Sequence, residues 1–384
     1  MAFGARRRPI LERMWQAPAP PALRAPWLLA AAASCAYAGA LGLRERFWRD
    51  RAARPAVPII SVGNLTVGGN GKTPFTLYLA SRLAARGRRV AILSRGFGGG
   101  ASRRGRAAMV SDGARIFATA REAGDEPAML ARRFAGPIAI ARRRIDGVRL
   151  LLAAAAPDAI ILDDGFQHLA LARDLDLVLI DAARGFGNGW LLPAGPLRER
   201  LGALGRAGAI VLIDRAGEAP PPAAAWRLPP EIPVFRAHLR PCGLLRADAA
   251  GWREEPLALA GRRVVAVSGL ADPESFHAAL AALGAIATAT FAFSDHHDYA
   301  RADWSKILAA ARNAAMIVTT AKDLVKLESF AADGPPLYAL DLEVALDRAD
   351  EERLLALVEA RLDARRPPAS AASERRNGGS PDGD

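Results

Sequence analysis

The sequence predicts an α/β protein whose first domain contains a mostly parallel sheet and whose second, smaller domain is also α/β. From residue 57 onward, short apolar runs alternate with helical patterns, which is typical of parallel strands joined by helices. The first run leads into a glycine-rich loop that ends in Gly71-Lys72-Thr73 and precedes a helical pattern. A Gly-Lys-Thr sequence in this strand–loop–helix order binds phosphate, so the predicted sheet is of the P-loop NTPase type.

The N-terminal arm, residues 1–54, combines an apolar helical run with positive charge. It holds ten Arg and three acidic residues, a net charge of +7 out of +12 for the 384-residue chain. Within it, Trp27–Leu43 is uncharged; as a helix it would be about 25 Å long, shorter than the roughly 30 Å hydrocarbon core of a bilayer. The pattern predicts a membrane-contacting helix, either a short span or a helix embedded in one leaflet. Arg on both sides leaves the topology open.

The glycine-rich loop is the predicted nucleotide-binding segment. Backbone N–H groups of the loop and of the following helix would face an anion. Lys72 would reach the β- and γ-phosphates of a nucleotide, and the Thr73 hydroxyl would ligate Mg²⁺. The predicted binding residues are Thr66, Val67, Gly68, Gly69, Asn70, Gly71, Lys72 and Thr73.

One position of this loop departs from the usual pattern, because Thr66 stands where the first glycine is expected. A glycine-rich turn without a ligand is the simpler alternative. The lysine content argues against it, since the chain has four lysines among 52 basic residues and Lys72 is the only one before Lys306. A compact ammonium group at this position of an Arg-biased chain favours a phosphate site.

The second predicted strand, Arg89–Leu93, leads into the loop Ser94–Gly100. Loops at the carboxyl ends of parallel strands form the ligand crevice. A flexible lid and a substrate-contacting Arg95 are equally supported for this loop. Farther along, Asp125 and Glu126 precede a helical pattern, where two carboxylates usually cap the helix.

A fully apolar strand, Ala159–Leu162, ends in Asp163. A buried strand that ends in Asp matches the second nucleotide motif of P-loop proteins, whose carboxylate holds Mg²⁺ near the loop hydroxyl. Together with Lys72 and Thr73, this Asp predicts phosphoryl transfer. Further strands are predicted over 176–181 and 209–213.

The segment from Glu218 to Pro233 is rich in Pro and Ala, which predicts a linker. Beyond it, strands over 263–268, 286–292 and 315–319 alternate with helices over 273–283, 301–312 and 321–328. The predicted divisions are the arm 1–54, the P-loop core 55–235, a C-terminal α/β domain 236–364 and a disordered tail 365–384.

Composition limits the partners. A net charge of +12 and a pI near 10.7 suit an anionic membrane surface or a phosphorylated substrate. Arg and aromatic residues are not interleaved and no zinc or helix-turn-helix signature is present in the sequence, so no nucleic-acid partner is predicted. Two distant cysteines, Cys35 and Cys242, predict a reducing compartment without disulfides.

Seven segments in register resemble the tetraacyldisaccharide 4′-kinase family, the lipid A kinases of Gram-negative bacteria. The similarity runs from the apolar N-terminus to about residue 345, and Thr66 itself matches a variant of that family. Phe97, where the family often has Tyr, Ala321, where it often has Glu, and the polar tail are departures. The segments are 62–74, 94–99, 124–127, 163–168, 192–199, 293–299 and 319–326.

The resemblance implies transfer of the γ-phosphate of ATP, with Mg²⁺, to the 4′-hydroxyl of a tetraacyldisaccharide 1-phosphate, giving lipid IVA. The acceptor would be an anionic glycolipid at the cytoplasmic face of the cell inner membrane. The resemblance also assigns the general base to Asp125, assisted by a histidine that we place at His296, with His297 as the alternative. Substrate-binding or supporting roles are predicted for Arg95, Asp164, Gln167, His168, Arg198 and Glu199.

Asp125 and His296 fall in different predicted domains, so we expect them to meet only when the linker closes around the substrate. Two other classes of protein stay open. A P-loop switch protein would need an Asn-Lys-x-Asp motif that recognises guanine. In this sequence, Ala321-Lys322-Asp323 resembles only the end of that motif. A non-catalytic membrane scaffold that binds nucleotide gives no reason for Asp125 and His296.

Overall fold

The computed structural model describes residues 15, 24–69, 71–215, 226, 228–248, 251–332 and 334–365. Asn70 of the predicted nucleotide loop therefore lies outside the described residues. So do most of the N-terminal arm before the apolar run, most of the Pro- and Ala-rich segment, and the predicted disordered tail from residue 366.

The described elements alternate as the sequence predicts. The strands are β1 (Ile59–Asn64), β2 (Val90–Ser94), β3 (Ala108–Ser111), β4 (Ile138–Ile140), β5 (Ala159–Asp163), β6 (Leu175–Asp181), β7 (Ala209–Arg215), β8 (Val234–Asp248), β9 (Gly251–Glu255), β10 (Arg263–Ser268), β11 (Ile286–Ala292), β12 (Met316–Thr320) and β13 (Leu337–Ala345). The helices are α1 (Arg24–Trp48), α2 (Lys72–Ala85), α3 (Gly100–Arg103), α4 (Ala120–Ala123), α5 (Asp125–Arg133), α6 (Arg144–Ala155), α7 (Pro273–Ala282), α8 (Arg301–Ala310), α9 (Ala321–Leu327) and α10 (Arg348–Asp363).

These strands form one sheet in the order β11-β10-β12-β13-β8-β7-β6-β1-β5-β2-β4-β3, with β9 paired to β8. Three of the described pairings are antiparallel, namely β3–β4, β8–β9 and β8–β13, and the others are parallel. All six residues of β1 are buried, as expected for a parallel strand with both faces covered. The predicted α/β fold with a mostly parallel sheet is confirmed.

β8 connects two parts of the sheet, which we call the first α/β unit (β1–β7 with α2–α6) and the second α/β unit (β10–β13 with α7–α9). Its first residues pair parallel with β7, and its later residues pair antiparallel with β13 and β9. The sequence reasoning missed β8, although buried and exposed residues alternate from Phe235 to Arg240 as in a half-buried strand. Pro241 interrupts this alternation at a register shift. The predicted boundary between residues 235 and 236 falls inside β8, and the division of the chain into domains stays a prediction.

The last helix, α10, packs back onto the first α/β unit. Leu354 and Val358 lie in the same buried cluster as Phe75 of α2. Arg82 of α2 pairs with Glu351 of α10 at 2.6 Å. Just after α2, Arg86 pairs with Glu359 and Arg88 with Asp363, at 2.8 Å each. The two units are therefore joined by a helix pair as well as by the sheet.

α1 is longer than the apolar run that predicts it. Pro26–Trp48 is long and apolar enough, by length and composition, to cross a membrane. One face is held by the protein: Ser34 Oγ donates to the carbonyl of Leu191 at 2.8 Å, and Tyr37 Oη donates to that of Arg198 at 3.0 Å. Other large apolar side chains of the helix are exposed, namely Leu28, Leu29, Leu43 and Phe47.

Gly63 in β1 provides a test of how tightly the sheet packs beneath the loop. A Cβ atom there would lie 2.5 Å from Cβ and 2.9 Å from N of Phe166, a fully buried residue. Gly63→Ala should therefore lower the free energy of unfolding by about 1–3 kcal/mol, measured by urea denaturation. Gly202→Ala is the control, because a Cβ there meets nothing within 4 Å. Equal stability of the two variants would contradict this packing.

Candidate active site

The predicted nucleotide loop lies between β1 and α2, at the carboxyl edge of the parallel strands. α2 begins at Lys72, and the preceding Gly71 has φ of 73°, a left-handed conformation that favours glycine. Among the described side chains none caps this helix start. The first N–H groups of α2 are thus open to an anion, and the helix dipole favours negative charge there.

Thr66 and Val67 anchor the other end of the loop. Thr66 forms an antiparallel bridge with Leu197, and Val67 N donates to the carbonyl oxygen of Pro196 at 2.9 Å. Because Thr66 is bridged in this way, the position does not need the freedom of the glycine found in the usual pattern. Gly68 follows with φ of 113°.

Lys72 and Asp163 lie at the same edge of the sheet, where the Nζ of Lys72 is 3.9 Å from Oδ1 of the neighbouring Asp164. Val62 of β1 is in register with Asp163 at the end of β5, and Thr73 is buried beside the loop. The Lys72 Nζ is 3.4 Å from the carbonyl oxygen of Gly68. Asp163 Oδ1 accepts a hydrogen bond from Thr76 Oγ1 at 3.2 Å, a contact that the sequence reasoning missed.

Two other carboxylates, those of Glu126 and Asp164, lie near Asp163. Burial raises the pKa of Asp163, and the charges of Glu126 and Asp164 raise it further. Burial alone would also raise the pKa of Asp164, but Lys72 and Arg198 outweigh it and the net shift is downward. The sequence reasoning gave Glu126 only a capping role and missed this charge.

The buried Asp163 carboxylate, with the carboxylates of Glu126 and Asp164 nearby, suits a divalent cation. The Asp163 carboxylate and the Thr73 hydroxyl are hard oxygen donors of the kind Mg²⁺ prefers. In the part of the chain that the structure describes, no group of three or more His, Cys, Asp or Glu side chains forms a metal cluster. One carboxylate and one hydroxyl suit Mg²⁺, because this cation usually keeps several waters and takes only one or two carboxylates from a protein.

Asp125 and His296 are in contact. Asp125 is the first residue of α5, but its side chain does not cap that helix. Its Oδ2 lies 3.0 Å from Nδ1 of His296 and 3.0 Å from Nζ of Lys326. Burial raises the pKa of Asp125, but the His296 hydrogen bond and the Lys326 charge lower it by more. The result is a buried carboxylate that stays ionised.

The expectation that Asp125 and His296 meet only on closure around a substrate is not what the structure shows. In the described conformation α5 already packs against α9, with Ala128 and Met129 against Val325. The continuous sheet brings these helices together, so the contact belongs to the fold as described.

Of the two predicted histidines, only His296 contacts Asp125 among the described residues. His296 has φ of 58°, in the left-handed region that non-glycine residues seldom adopt, and its ring centroid lies 5.5 Å from that of Phe97. The His297 ring stacks on Phe293 at 4.5 Å and its Nε2 lies 3.0 Å from Oδ2 of Asp303.

The Ser94–Gly100 loop packs against the turn that holds Asp125. A Cβ atom on Gly124 would lie 2.4 Å from the carbonyl oxygen of Phe97, and one on Gly99 would lie 2.5 Å from that of Glu122. These backbones touch, which explains the glycines and is not the packing of a free lid. Arg95 is exposed at this edge, and its role stays a prediction.

Arg198 joins the loop region to Asp164. Its Nη1 donates to Asp164 Oδ1 at 2.8 Å and lies 3.4 Å from Oδ1 of Asn64. Gln167 Nε2 donates to the carbonyl oxygen of Asn64 at 2.9 Å. Burial, with the charge of Arg144 next, lowers the pKa of His168 to about 4, so this imidazole is neutral at pH 7. The sequence reasoning missed Arg144, which is buried.

Glu199 is placed differently from the other predicted site residues. Its Oε1 accepts a hydrogen bond from Arg44 of α1 at 3.0 Å, and its other oxygen pairs with Arg206. The described contacts of Glu199 therefore tie α1 to the segment after β6.

The order of β1, glycine-rich loop and α2, with a buried Asp at the end of β5, is that of P-loop proteins, and the chain is one of them. A family model described as Tetraacyldisaccharide-1-P 4′-kinase matches residues 25–363. The chain belongs to this kinase family.

Individual relatives agree with the family model. The tetraacyldisaccharide 4′-kinase of Anaeromyxobacter sp. (strain Fw109-5) is 45% identical over 359 residues, covering 89% of this chain and 94% of the relative. That of Geobacter metallireducens is 45% identical over 293 residues, covering 75% and 84%. A crystal structure of the "apo" form of LpxK from Aquifex aeolicus in complex with ATP matches with a TM-score of 0.70 and 32% identity, over 88% of this chain and 99% of that one.

The contacts of Glu199 with Arg44 and Arg206 predict that this residue stabilises the protein. Glu199→Ala should leave Arg44 and Arg206 without their shared carboxylate, loosen α1 and lower the free energy of unfolding by about 1–3 kcal/mol, since Arg44 is partly exposed. Urea denaturation and the rate of proteolysis within α1 measure the two effects. Glu343→Ala is the control, because its pair with Arg240 is exposed on both sides. A Glu199→Ala variant as stable and as protease-resistant as the control would contradict the assignment.

Proposed function

We propose that this protein transfers the γ-phosphate of ATP to the 4′-hydroxyl of a tetraacyldisaccharide 1-phosphate, forming lipid IVA. The main observation is the contact of Asp125 with His296 in a protein whose P-loop segment leads into Lys72 and Thr73 at the start of α2. A nucleotide-binding switch or scaffold would not need a buried, ionised carboxylate paired with an imidazole at this place. The family membership and the ATP complex of the Aquifex aeolicus relative support the same function.

In the proposed mechanism, the first N–H groups of α2 and the Lys72 ammonium bind the β- and γ-phosphates. The hydroxyl oxygen of the acceptor attacks the γ-phosphorus, the bond to the bridging oxygen breaks, and ADP leaves. The hydroxyl proton passes to Asp125, whose Oδ2 is already held by His296 and Lys326. Phosphoryl transfer requires mainly positioning and charge from the protein, which these groups supply.

Thr73 and Asp163 would hold Mg²⁺, which would supply positive charge to the phosphate oxygens. The residues around them support this assignment. Glu126 and Asp164 add negative charge next to Asp163, while Lys72 and Arg198 balance Asp164. The side of the site that faces the phosphates is thus prepared for a cation.

The proposed function is tested by incubating the purified full-length chain with ATP, Mg²⁺ and tetraacyldisaccharide 1-phosphate, with mass spectrometry of the lipid. The product should gain one phosphate. Asp125→Asn should lower turnover by roughly 10²–10⁴ with little change in the KM for ATP. His296→Ala should act on the same step, so the double variant should lose less than the product of the two single effects.

Asp298→Asn is the matched control, because Asp298 is an exposed acid two residues from His296, and its turnover should stay within about twofold of the parent. ATP consumption that does not depend on the glycolipid would reject the kinase assignment. Near-normal turnover of Asp125→Asn, or fully multiplicative losses in the double variant, would reject the assigned pair.

We also propose that the protein works at the cytoplasmic face of the inner membrane, with α1 as the contact. Two observations support this proposal. In the most apolar 18-residue stretch of α1, 11% of the residues are buried in the protein. Residues 1–54 carry a net charge of +7. Apolar side chains would enter the bilayer while Arg residues meet anionic headgroups. This position would present the acyl chains of the substrate beside the site.

The membrane contact is tested by replacing Leu28, Leu29, Leu43 and Phe47 together with Ser. These side chains are between 51% and 77% exposed, so the fold should persist while binding to vesicles of anionic phospholipid falls by about tenfold or more. Flotation of the vesicles on a density gradient measures the bound fraction. Phe117→Ser with Ile286→Ser is the control, since both are exposed elsewhere. Undiminished binding of the fourfold variant would place the anchor elsewhere.

A further inference from the structure

Two lysines of α9 flank the Asp125–His296 pair. Lys322 and Lys326 are four residues apart and therefore lie on one face of the helix. The Nζ atom of Lys326 is 3.0 Å from Oδ2 of Asp125, and the Nζ atom of Lys322 is 3.2 Å from Nε2 of His296. The pair is thus contacted by an ammonium group at each end.

Lysine is rare in this chain, which makes the presence of two lysines at the Asp125–His296 pair informative. Four of its 52 basic residues are lysines. Lys72 lies at the phosphate loop, Lys322 and Lys326 lie at the carboxylate–imidazole pair, and Lys306 is exposed on α8. The side chains of Lys322 and Lys326 are 16% and 9% exposed. Arg is the basic residue used nearly everywhere else, so these positions favour the compact ammonium group over the planar guanidinium group.

We propose, building on the kinase function above, that Lys322 and Lys326 are positioning residues that fix the hydrogen bonds of the Asp125–His296 pair. An ammonium group donates hydrogen bonds and accepts none. The His296 Nε2 that faces Lys322 is therefore the acceptor, and the ring proton sits on Nδ1. That N–H donates to Asp125 Oδ2, which also accepts from Lys326.

The consequence concerns the other carboxylate oxygen. Both donors fall on Oδ2 of Asp125, and no described residue is hydrogen-bonded to Oδ1. Oδ1 is therefore the oxygen left to accept the proton of the attacking hydroxyl. The imidazole donates a hydrogen bond that orients the carboxylate, and the two lysines determine which oxygen and which tautomer are used.

Other hydrogen bonds and ion pairs hold the two lysines in place. Lys322 Nζ donates to Asp295 Oδ1 at 2.6 Å. Lys326 Nζ donates to the carbonyl oxygen of His297 at 2.9 Å and lies 3.5 Å from Oδ1 of Asp323. Asp323 is fully buried, and its Oδ2 accepts from the backbone N–H of Gly269 at 2.8 Å.

The charged and titratable groups around the pair come from several elements. Asp295 belongs to the loop after β11, and Asp323 with the two lysines to α9. Tyr299 lies under Lys326, with 5.4 Å from Nζ to the ring centroid. At the rim, Arg121 and Asp298 are 3.6 Å apart. Lys326 is the cation in direct contact with the carboxylate, so its removal should have the largest effect on Asp125.

The tautomer is tested by nitrogen NMR of the full chain labelled with ¹⁵N-histidine, with His296→Gln used to identify the signals. The parent should show His296 protonated on Nδ1 and not on Nε2 near pH 7. In Lys322→Met the preference for this tautomer should be lost. Lys306→Met is the control and should match the parent. A parent with the proton on Nε2, or an unchanged tautomer in Lys322→Met, would overturn the proposal.

The role of Lys326 is tested by the pH profile of kcat. In Lys326→Met the loss of a positive charge should raise the pKa of Asp125, so the acid limb of the profile moves to higher pH by about one unit or more. The kcat at the optimum should fall by about tenfold or more, with the KM for ATP within about threefold of the parent. If the Lys326–Asp125 ion pair were purely structural, its loss would lower the free energy of unfolding without moving the acid limb of the pH profile.

A profile of Lys326→Met that superimposes on that of the parent, with kcat within about twofold, would overturn the proposal. If Lys326→Met does not fold, Lys326→Arg is used instead. It retains the charge at a displaced position, so kcat should fall while the acid limb stays, and parental kcat would overturn the proposal. Absence of transfer in the parent itself would reject the kinase function, whereas the NMR measurement still tests the hydrogen bonding.

Discussion

The site depends on one constraint: a buried carboxylate has to be paired. Asp125 lies at the start of α5 in the first α/β unit, but its hydrogen-bonding partners, His296 and Lys326, both come from the second. Their contact requires α5 and α9 to pack together. β8 makes this packing part of the fold, because it pairs with β7 on one side and with β13 on the other. The return of α10 onto α2 reinforces it.

The pKa values of the two carboxyl groups of the site, those of Asp163 and Asp125, are shifted in opposite directions. Burial and then the neighbouring carboxylates raise the pKa of Asp163, whereas at Asp125 the imidazole and the ammonium group outweigh burial and lower the pKa. Two carboxyl groups of similar intrinsic acidity are thereby adapted to different tasks. The first is suited to bind a cation at the phosphates, and the second is suited to stay ionised and accept a proton.

The local parts of this structure could be predicted from the sequence. β1, the glycine loop, α2 and Asp163 follow from periodicity and a motif that extends over neighbouring residues. The full length of β8 could not be predicted, because Pro241 interrupts its alternating pattern and its later partners lie far along the chain. The contact of Lys326 with Asp125 spans 201 residues, and no local pattern reports such a distance. Glu199 likewise matches a motif, while its contacts to Arg44 and Arg206 depend on where α1 packs.

The central claim is that Asp125 Oδ1 receives the proton of the acceptor hydroxyl. It is tested most directly by a crystal structure of the full chain with a non-hydrolysable ATP analogue, Mg²⁺ and tetraacyldisaccharide 1-phosphate. The account predicts the 4′-hydroxyl oxygen about 2.6–3.2 Å from Oδ1 of Asp125, with His296 and Lys326 still on Oδ2. A 4′-hydroxyl hydrogen-bonded to another carboxylate, with Asp125 turned away from the γ-phosphate, would contradict it.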